Sequence, residues 1–166
     1  MNAENSTDKT IDGKSFWRAI GVRAVGAAVV TAADAEGPAG FLALSATHLS
    51  ADPPLMMVSI GASTSALKQV ANGHHFAINY LAKGQEQLAD SFGGRGELKG
   101  ADRFRSGNWG VLATGAPILL DGVGSLDCRL EETIERHGTV IAIGRLVDFS
   151  SHSEREPLLS FGGRYI

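Results

Sequence analysis

The feature that most constrains the fold is a long segment near the C-terminus in which apolar and polar residues alternate. The stretch GVGSLDCRLEETIERHGTVIAIGRLVDFS, residues 122–150, has the period of two that is typical of strands whose two faces differ. His137 and Gly138 interrupt the stretch near its middle and mark a turn. The segment therefore predicts two long antiparallel strands joined by that turn.

Shorter strands and helices precede this segment. Strands are predicted at residues 27–34, 41–50, 54–60 and 75–81, and helices at residues 14–22, 65–73 and 84–94. Pro53 and Pro54 should lie just before the third strand, because proline cannot donate to a strand ladder. Gly73 is the expected stop of the second helix, and residues 93–110 are expected to be irregular. Since strands outnumber helices and occur in hairpin-like pairs, we expect an antiparallel β-barrel with a few covering helices.

The composition favours one compact domain. The chain has 166 residues, of which 43% are hydrophobic and 21 are glycine, enough for a core without metal or disulfide cross-links. We expect this domain to span residues 16–166, after a flexible, polar tail at residues 1–15. Cys128 is the single cysteine, so no intrachain disulfide can form. With no secretory pattern at the N-terminus, the expected location is the cytoplasm.

Charge and hydropathy argue against two classes of partner. The net charge is −3 without a basic stripe, which argues against nucleic acid. The longest apolar window, residues 19–33, contains Arg23 and is too short to span a bilayer.

The five histidines show no metal-ligand spacing, so no metal site is expected. Cys128 lies in the alternating segment and is expected to be a small core residue rather than a nucleophile.

The stretch SIGASTSALK, residues 59–68, delivers an apolar strand into a row of small hydroxyl residues at a predicted helix start. A helix start has unsatisfied N–H groups and a partial positive charge, so it stabilises phosphate, and Ser63, Thr64 and Ser65 would add hydroxyl donors. Ser63 or Ser65 would serve equally as a simple helix cap. The stretch is not a Walker loop, because no Gly-Lys-Ser/Thr follows the glycine.

Three further motifs occur in an order and spacing that are specific when taken together. They are S-x-D-P-P at residues 50–54, F-x-I-N-x-L-x-x-x-Q at residues 76–85 and a terminal G-x-Y at residues 163–165. With these motifs, nearly all of the chain after residue 15 resembles the flavin reductase family. The resemblance implies a split β-barrel with Greek-key-like connections that binds FMN or FAD.

The resemblance also implies which residues contact the flavin. The loop at residues 45–48 corresponds to a segment that lies along the isoalloxazine ring, and residues 63–65 correspond to a phosphate cradle. Residues from the motifs INYL and SFGG correspond to further neighbours of the flavin. The implied flavin contacts are Ser45, Ala46, Thr47, His48, Ser63, Thr64, Ser65, Asn79, Leu81, Ser91, Phe92 and Gly93.

The sequence departs from the family pattern in two places. Leu42 and Leu44 stand where many relatives have hydroxyl or amide side chains, so fewer side-chain hydroxyls face the flavin ring. On the nicotinamide side, Thr139 stands where a histidine is common. We therefore expect His137 to contact the nicotinamide, with a loop arginine pairing with the phosphates and a loop phenylalanine as a stacking lid. The alternatives are a plain turn at His137 and a solvated loop at residues 102–109. The expected nicotinamide contacts are Arg103, Phe104, His137 and Tyr165.

The implied function is that of an NAD(P)H:flavin oxidoreductase. Hydride would pass from NADH or NADPH to FMN or FAD, and the reduced flavin would go to a monooxygenase or to ferric iron. Both reacting groups belong to cofactors, so no catalytic side chain is assigned. Relatives place the flavin between two subunits, so we expect a homodimer. The alternatives are a flavoprotein that retains FMN and reduces another acceptor, such as a corrinoid, and a non-catalytic flavin-binding module.

Overall fold

The structure is a computed structural model that describes residues 10–166. The three helices are α1 (Gly13–Ile20), α2 (Ala66–Gly73) and α3 (Glu86–Phe92), and a short 3-10 helix spans Gly100–Arg105. The first six strands are β1 (Val25–Gly26), β2 (Ala28–Asp34), β3 (Gly37–Ala43), β4 (Thr47–Ala51), β5 (Pro54–Gly61) and β6 (His75–Tyr80). The remaining strands are β7 (Trp109–Val111), β8 (Pro117–Leu119), β9 (Gly124–Arg136), β10 (Thr139–Ser151), β11 (Leu159–Phe161) and β12 (Arg164–Tyr165).

Seven of these strands form one antiparallel sheet in the order β3-β2-β6-β9-β10-β5-β4. Strands β3 and β4 are the two edges of this sheet, yet only residues 44–46 join them. A flat sheet of seven strands would hold its edges about 29 Å apart, whereas this connection can reach about 14 Å at most. The sheet therefore curls into a barrel that is split between β3 and β4, which confirms the predicted fold class.

The long alternating segment forms the predicted hairpin of β9 and β10. Arg136 pairs with Thr139, so His137 and Gly138 make a two-residue loop. Both have positive φ, 49° and 72°, as in the turns whose twist matches that of the flanking strands. Strand β10 also pairs with β5, where Thr139 lies opposite Gly61. The hairpin thereby brings its turn to the start of the segment that leads into α2.

Residues 28–32 of β2 are buried on both faces, which explains why all of them except Thr31 are apolar. Val30 packs into the barrel interior with Val58, Ile60 and Phe76. Val29 points the other way, into a second core that includes Leu81, Leu88, Phe92 and Leu119. Two hydrophobic cores thus lie on opposite sides of the sheet, and the second is covered by α3 and β8.

A buried amide joins the sheet to the β7–β8 hairpin. The Asn79 Nδ2 group donates to the Val29 carbonyl and to Thr31 Oγ1, each at 3.0 Å. Its Oδ1 atom accepts from the Leu119 N–H at 2.9 Å and from Ser125 Oγ at 2.7 Å. All the hydrogen-bonding capacity of this amide is therefore used inside the protein.

Several local predictions need correction. Helix α1 begins at Gly13, inside the expected tail, of which residues 1–9 lie outside the described residues. The predicted strand at residues 41–50 is divided between β3 and β4, and Pro54 is the first residue of β5. The expected irregular segment contains the 3-10 helix and β7.

Helix α2 ends at Gly73 as predicted, and His74, the residue that follows, takes the left-handed conformation. A Cβ atom on Gly73 would lie 2.5 Å from the Ala33 carbonyl oxygen. Glycine is therefore required at this position for close packing of α2 on β2.

Within residues 10–166, none of the helices is long and apolar enough to cross a membrane.

We expect Asn79→Ala to lower the free energy of unfolding by about 2–4 kcal/mol, because it leaves the buried Leu119 N–H and other polar groups without partners. Asn72→Ala is the matched control, since that amide is exposed and donates to Asp34; it should cost less than about 1 kcal/mol. Urea denaturation measures both values. Equal effects of the two substitutions would contradict the role assigned to Asn79.

A second prediction concerns Cys128, which is fully buried in the barrel core. Burial raises the pKa of its thiol to about 12, and the neighbouring Asp127 carboxylate adds to the rise. At pH 8 the thiol is therefore protonated and shielded from solvent. We expect no reaction with a thiol-specific disulfide reagent in the native protein and complete reaction in denaturant. Labelling of the native protein at the denatured rate would overturn this assignment.

Candidate functional site

A groove of about 710 Å³ lies at the split of the barrel. Its floor is the end of β3 and the residue that follows, Phe41 to Leu44, whose side chains are apolar. The volume falls within the range of about 300–1,000 Å³ that is typical of small-molecule sites. We call this cavity the split groove.

One side of the split groove carries hydroxyl groups, and we call it the hydroxyl wall. It consists of Ser45, Ser59, Thr64 and Thr139, which line the groove, and of Ser63 and Ser65, which are exposed on either side of Thr64. The Ser45 hydroxyl donates to the Ser59 carbonyl and accepts from the Ser59 N–H, each at 3.3 Å, which ties the β3–β4 connection to β5. The Ala62 N–H donates to the Gly138 carbonyl at 2.9 Å. Four separate segments therefore converge on this wall.

The hydroxyls at the start of α2 are not used as helix caps. Ser65 is the N-cap residue, but its side chain makes no capping hydrogen bond. Among the described residues, the hydroxyls of Ser63 and Thr64 have no hydrogen-bond partner either. Thr64 lines the split groove, and Ser63 and Ser65 are exposed beside it. These three hydroxyls are therefore available to a ligand, together with the N–H groups of the helix start.

The opposite side of the split groove is formed by the segment after α1 and by the β11–β12 turn. The Gly162 N–H donates to the Gly21 carbonyl at 3.0 Å, and Val25 pairs with Ser160. Gly162 and Gly163 both have positive φ and present no side chain to the cavity. Arg23 also lines this side. We call it the glycine–arginine wall, and it consists of Gly21, Arg23, Gly162 and Gly163.

Aromatic side chains of α1 border the mouth of the split groove. Phe16 and Trp17 line the cavity and contact each other edge to face, with ring centroids 5.6 Å apart. Trp17 is nevertheless 67% exposed, and α1 has no buried residue. The helix thus presents an apolar surface that this chain alone does not cover.

Only part of the predicted flavin set lines the split groove. Ser45, Thr64 and Gly93 do so. Ala46 packs against the barrel core, whereas Thr47 and His48 lie exposed on the edge strand β4. The structure therefore brings Ser45, in the β3–β4 connection, and Thr64, in the β5–α2 segment, to the same groove. The β4 residues Thr47 and His48 do not line it.

Four predicted flavin contacts lie beneath the surface. Asn79 and Leu81 are fully buried, and the bonds of the Asn79 amide are satisfied in the interior. Phe92 is buried in the second core, and Ser91 is 7% exposed. The resemblance implies that Asn79 and Leu81 lie beside the flavin and that the SFGG segment contacts it through its backbone. The structure shows that the four side chains are buried, and their contact with a flavin stays a prediction.

The predicted nicotinamide residues do not line the split groove either. Arg103 Nε donates to the Leu98 carbonyl at 3.2 Å, and Phe104 packs on Phe92 with centroids 5.1 Å apart. His137 occupies the hairpin turn, and its contact with a nicotinamide stays a prediction. Tyr165 accepts a hydrogen bond from Arg95 at 2.9 Å. Burial raises the pKa of the Tyr165 hydroxyl, while the Arg95 charge opposes the rise.

The residues that sequence reasoning missed are those of the glycine–arginine wall and the aromatic side of α1. The apolar spacing of Phe16, Trp17 and Ile20 was visible and predicted a helix face. The G-x-Y motif marked the β11–β12 turn. Their meeting with β3 depends on contacts between distant segments, for which the sequence holds no local signal.

Comparison with known proteins agrees with this architecture. The family described as flavin reductase like domain matches residues 22–166. The FMN reductase (NADH) RutF of Agrobacterium fabrum is 37% identical over 159 residues, which cover 95% of this chain and 90% of that protein. The reductase subunit HsaB of a flavin-dependent monooxygenase from Rhodococcus jostii is 29% identical over 157 residues, 95% of this chain and 78% of HsaB.

A solved structure gives the same result for the fold. The NADH:FAD oxidoreductase SgcE6 of Streptomyces globisporus, in complex with NAD and FAD fragments, superposes with a TM-score of 0.83 at 28% identity. The match covers 95% of each chain. The split barrel, its groove and the match over residues 22–166 lead to one conclusion: this chain belongs to the flavin reductase family.

Proposed function

We propose that this protein catalyses the NADH-dependent reduction of FMN in the split groove and passes the reduced flavin to a monooxygenase. The observation that carries the proposal is the free hydroxyl set of Ser63, Thr64 and Ser65 beside an apolar groove floor. The names of RutF and HsaB, which describe an NADH-dependent FMN reductase and the reductase subunit of a monooxygenase, support the same activity.

The groove residues fit a flavin. An isoalloxazine ring is planar and largely apolar, and the floor from Phe41 to Leu44 is an apolar strand end. A phosphate needs hydrogen-bond donors, and the hydroxyls and N–H groups at the start of α2 supply them without a competing internal partner. Gly93 adds a lining position without a side chain. The groove thus offers an apolar floor to the isoalloxazine ring and hydrogen-bond donors to the phosphate of FMN.

The chain's own contribution to the reaction is binding and orientation. When both cofactors are bound, the nicotinamide supplies a hydride and the flavin accepts it, so no protein acid or base is required. The apolar floor excludes water from one face of the ring, and the hydroxyl wall fixes the phosphate end. The glycines of the opposite wall leave room for a second ligand to approach.

Steady-state NADH oxidation by the purified protein tests this function. We expect negligible oxidation without added flavin and saturable oxidation with FMN, with FAD assayed in parallel. A yellow preparation that keeps its FMN through gel filtration and needs another acceptor would indicate a retained-flavin enzyme. Flavin binding without NADH oxidation would indicate a carrier. Either outcome would contradict the proposal.

The hydroxyl cradle gives a separate prediction. The triple variant Ser63→Ala, Thr64→Val, Ser65→Ala should raise the dissociation constant for FMN by about 100-fold, since each lost hydrogen bond is worth about 1 kcal/mol. Flavin fluorescence titration measures the constant. Thr64→Ser is the matched control, because it retains the hydroxyl and should bind FMN nearly as the unaltered protein does. An unchanged constant in the triple variant would refute the cradle.

We further propose that the protein is a homodimer in which the partner covers α1. Trp17 and Val22 are 67% and 78% exposed, and Phe16 and Phe161 add apolar area beside them. A contiguous apolar surface of this kind marks an interface in soluble proteins. Because Phe16, Trp17 and Phe161 also line the split groove, a partner placed there would complete the mouth of the site.

Light scattering during gel filtration tests the dimer. We expect about twice the mass of one chain at micromolar concentration, and a shift toward the single-chain mass for Trp17→Glu, which buries a charge in the interface. Leu49→Glu is the control, because Leu49 is also exposed, on β4, and does not line the groove. A monomer with full activity would contradict the proposal.

A further inference from the structure

Arg23 is the one Lys or Arg among the described residues that line the split groove. Its side chain is exposed and makes no ion pair or side-chain hydrogen bond with another described residue. Arg95 pairs with Asp90 at 2.9 Å and Arg105 pairs with Asp102 at 3.0 Å. Arg164, on β12, does not line the groove. The free positive charge at the groove is thus supplied by Arg23.

The position of Arg23 is fixed by the backbone on both sides of it. Gly21 accepts a hydrogen bond from the Gly162 N–H at 3.0 Å, and the Arg23 N–H donates to the Ile20 carbonyl at 3.4 Å. Two residues later, Val25 enters the ladder with Ser160. Arg23 therefore lies beside the β11–β12 turn, with an exposed side chain that lines the groove.

The proposed function, on which this inference rests, requires two anionic ligands in one groove. The hydroxyl wall offers uncharged donors and the helix start to one phosphate. The glycine–arginine wall is built from different segments and offers a full positive charge. A pyrophosphate carries two negative charges, and a guanidinium can pair with its oxygens through two parallel hydrogen bonds. The FMN phosphate carries a similar charge near pH 7, but the hydroxyl wall already serves it, which leaves the charged wall for the pyrophosphate.

We infer that Arg23 binds the pyrophosphate of the nicotinamide dinucleotide and determines the affinity for NADH. The turn at Gly162 and Gly163 supports this role, because a Cβ built at either glycine meets no atom within 4 Å and so faces open space. A ligand can approach this backbone closely. The flavin phosphate remains on the hydroxyl wall, so the two anions do not compete.

The test compares Arg23→Gln with Arg18→Gln. Both remove one positive charge from the same region, but Arg18 does not line the split groove. We expect Arg23→Gln to raise the KM for NADH by about 10- to 100-fold, because a charge-assisted hydrogen-bonded pair is lost. Arg18→Gln should change this KM less than about twofold. Arg23→Lys should recover part of the affinity, because it restores the charge without the planar fork.

Two further measurements separate binding from turnover. Calorimetry of NAD⁺ binding to the FMN-loaded protein should show the same weakening for Arg23→Gln, while the FMN dissociation constant stays within about twofold of the unaltered value. With 1-benzyl-1,4-dihydronicotinamide, a hydride donor that has no phosphate, Arg23→Gln and the unaltered protein should show the same KM.

Unchanged NADH and NAD⁺ affinities in Arg23→Gln would overturn the inference and leave the proposed function intact. A large loss of FMN affinity in place of NADH affinity would also overturn it and would assign Arg23 to the flavin phosphate. If the unaltered protein binds FMN but does not oxidise NADH, the proposed function fails first, and NAD⁺ calorimetry still decides whether Arg23 binds a dinucleotide.

Discussion

The three-residue connection from β3 to β4 is the constraint on which the rest of this structure depends. It joins the two edges of a seven-stranded sheet and therefore forces the sheet to curl. The edges approach without a ladder between them, and the split groove is the space that results. Ser45 lies in this connection and bonds to Ser59 on β5. One short segment thus both closes the barrel and helps to build the hydroxyl wall.

In our proposal, the two walls of the groove divide the recognition of anions between them. The hydroxyl wall would hold one phosphate with neutral donors and a helix start. The glycine–arginine wall would hold the other anion with one exposed charge beside a turn of two glycines. The scaffold beneath the two walls makes its contacts inside the protein. The Asn79 amide makes its hydrogen bonds to groups inside the protein, and residues 28–32 of β2 are buried on both faces.

The sequence allowed the strands and the long hairpin to be predicted, because each depends on local signals. The phosphate cradle at the start of α2 stays a prediction. Alternation sets the faces of β9 and β10, and the turn at His137 and Gly138 fixes their register. Side-chain direction was less predictable. Asn79 lies in a motif that implies a ligand, yet both faces of β6 are covered, so its amide points into the protein.

The charged residue at the groove could not be identified from local pattern. Arg103 lies in a loop rich in charge, but it donates to backbone carbonyls. In the sequence, Arg23 is a single charged residue within the apolar window at residues 19–33. Its place at the groove follows from the pairing of β1 with β11, two short strands separated by more than a hundred residues. Contacts between residues so far apart in the sequence produce no periodic pattern from which they could be predicted.

A crystal structure of the protein with FMN and NAD⁺ would test the central claim most directly, namely that both ligands share the split groove. We expect the isoalloxazine ring to lie on the floor from Phe41 to Leu44 and the flavin phosphate to lie at Ser63–Ser65. The dinucleotide pyrophosphate should lie within hydrogen-bond distance of the Arg23 guanidinium. Density for FMN outside this groove, or with its phosphate on the glycine–arginine wall, would contradict the account.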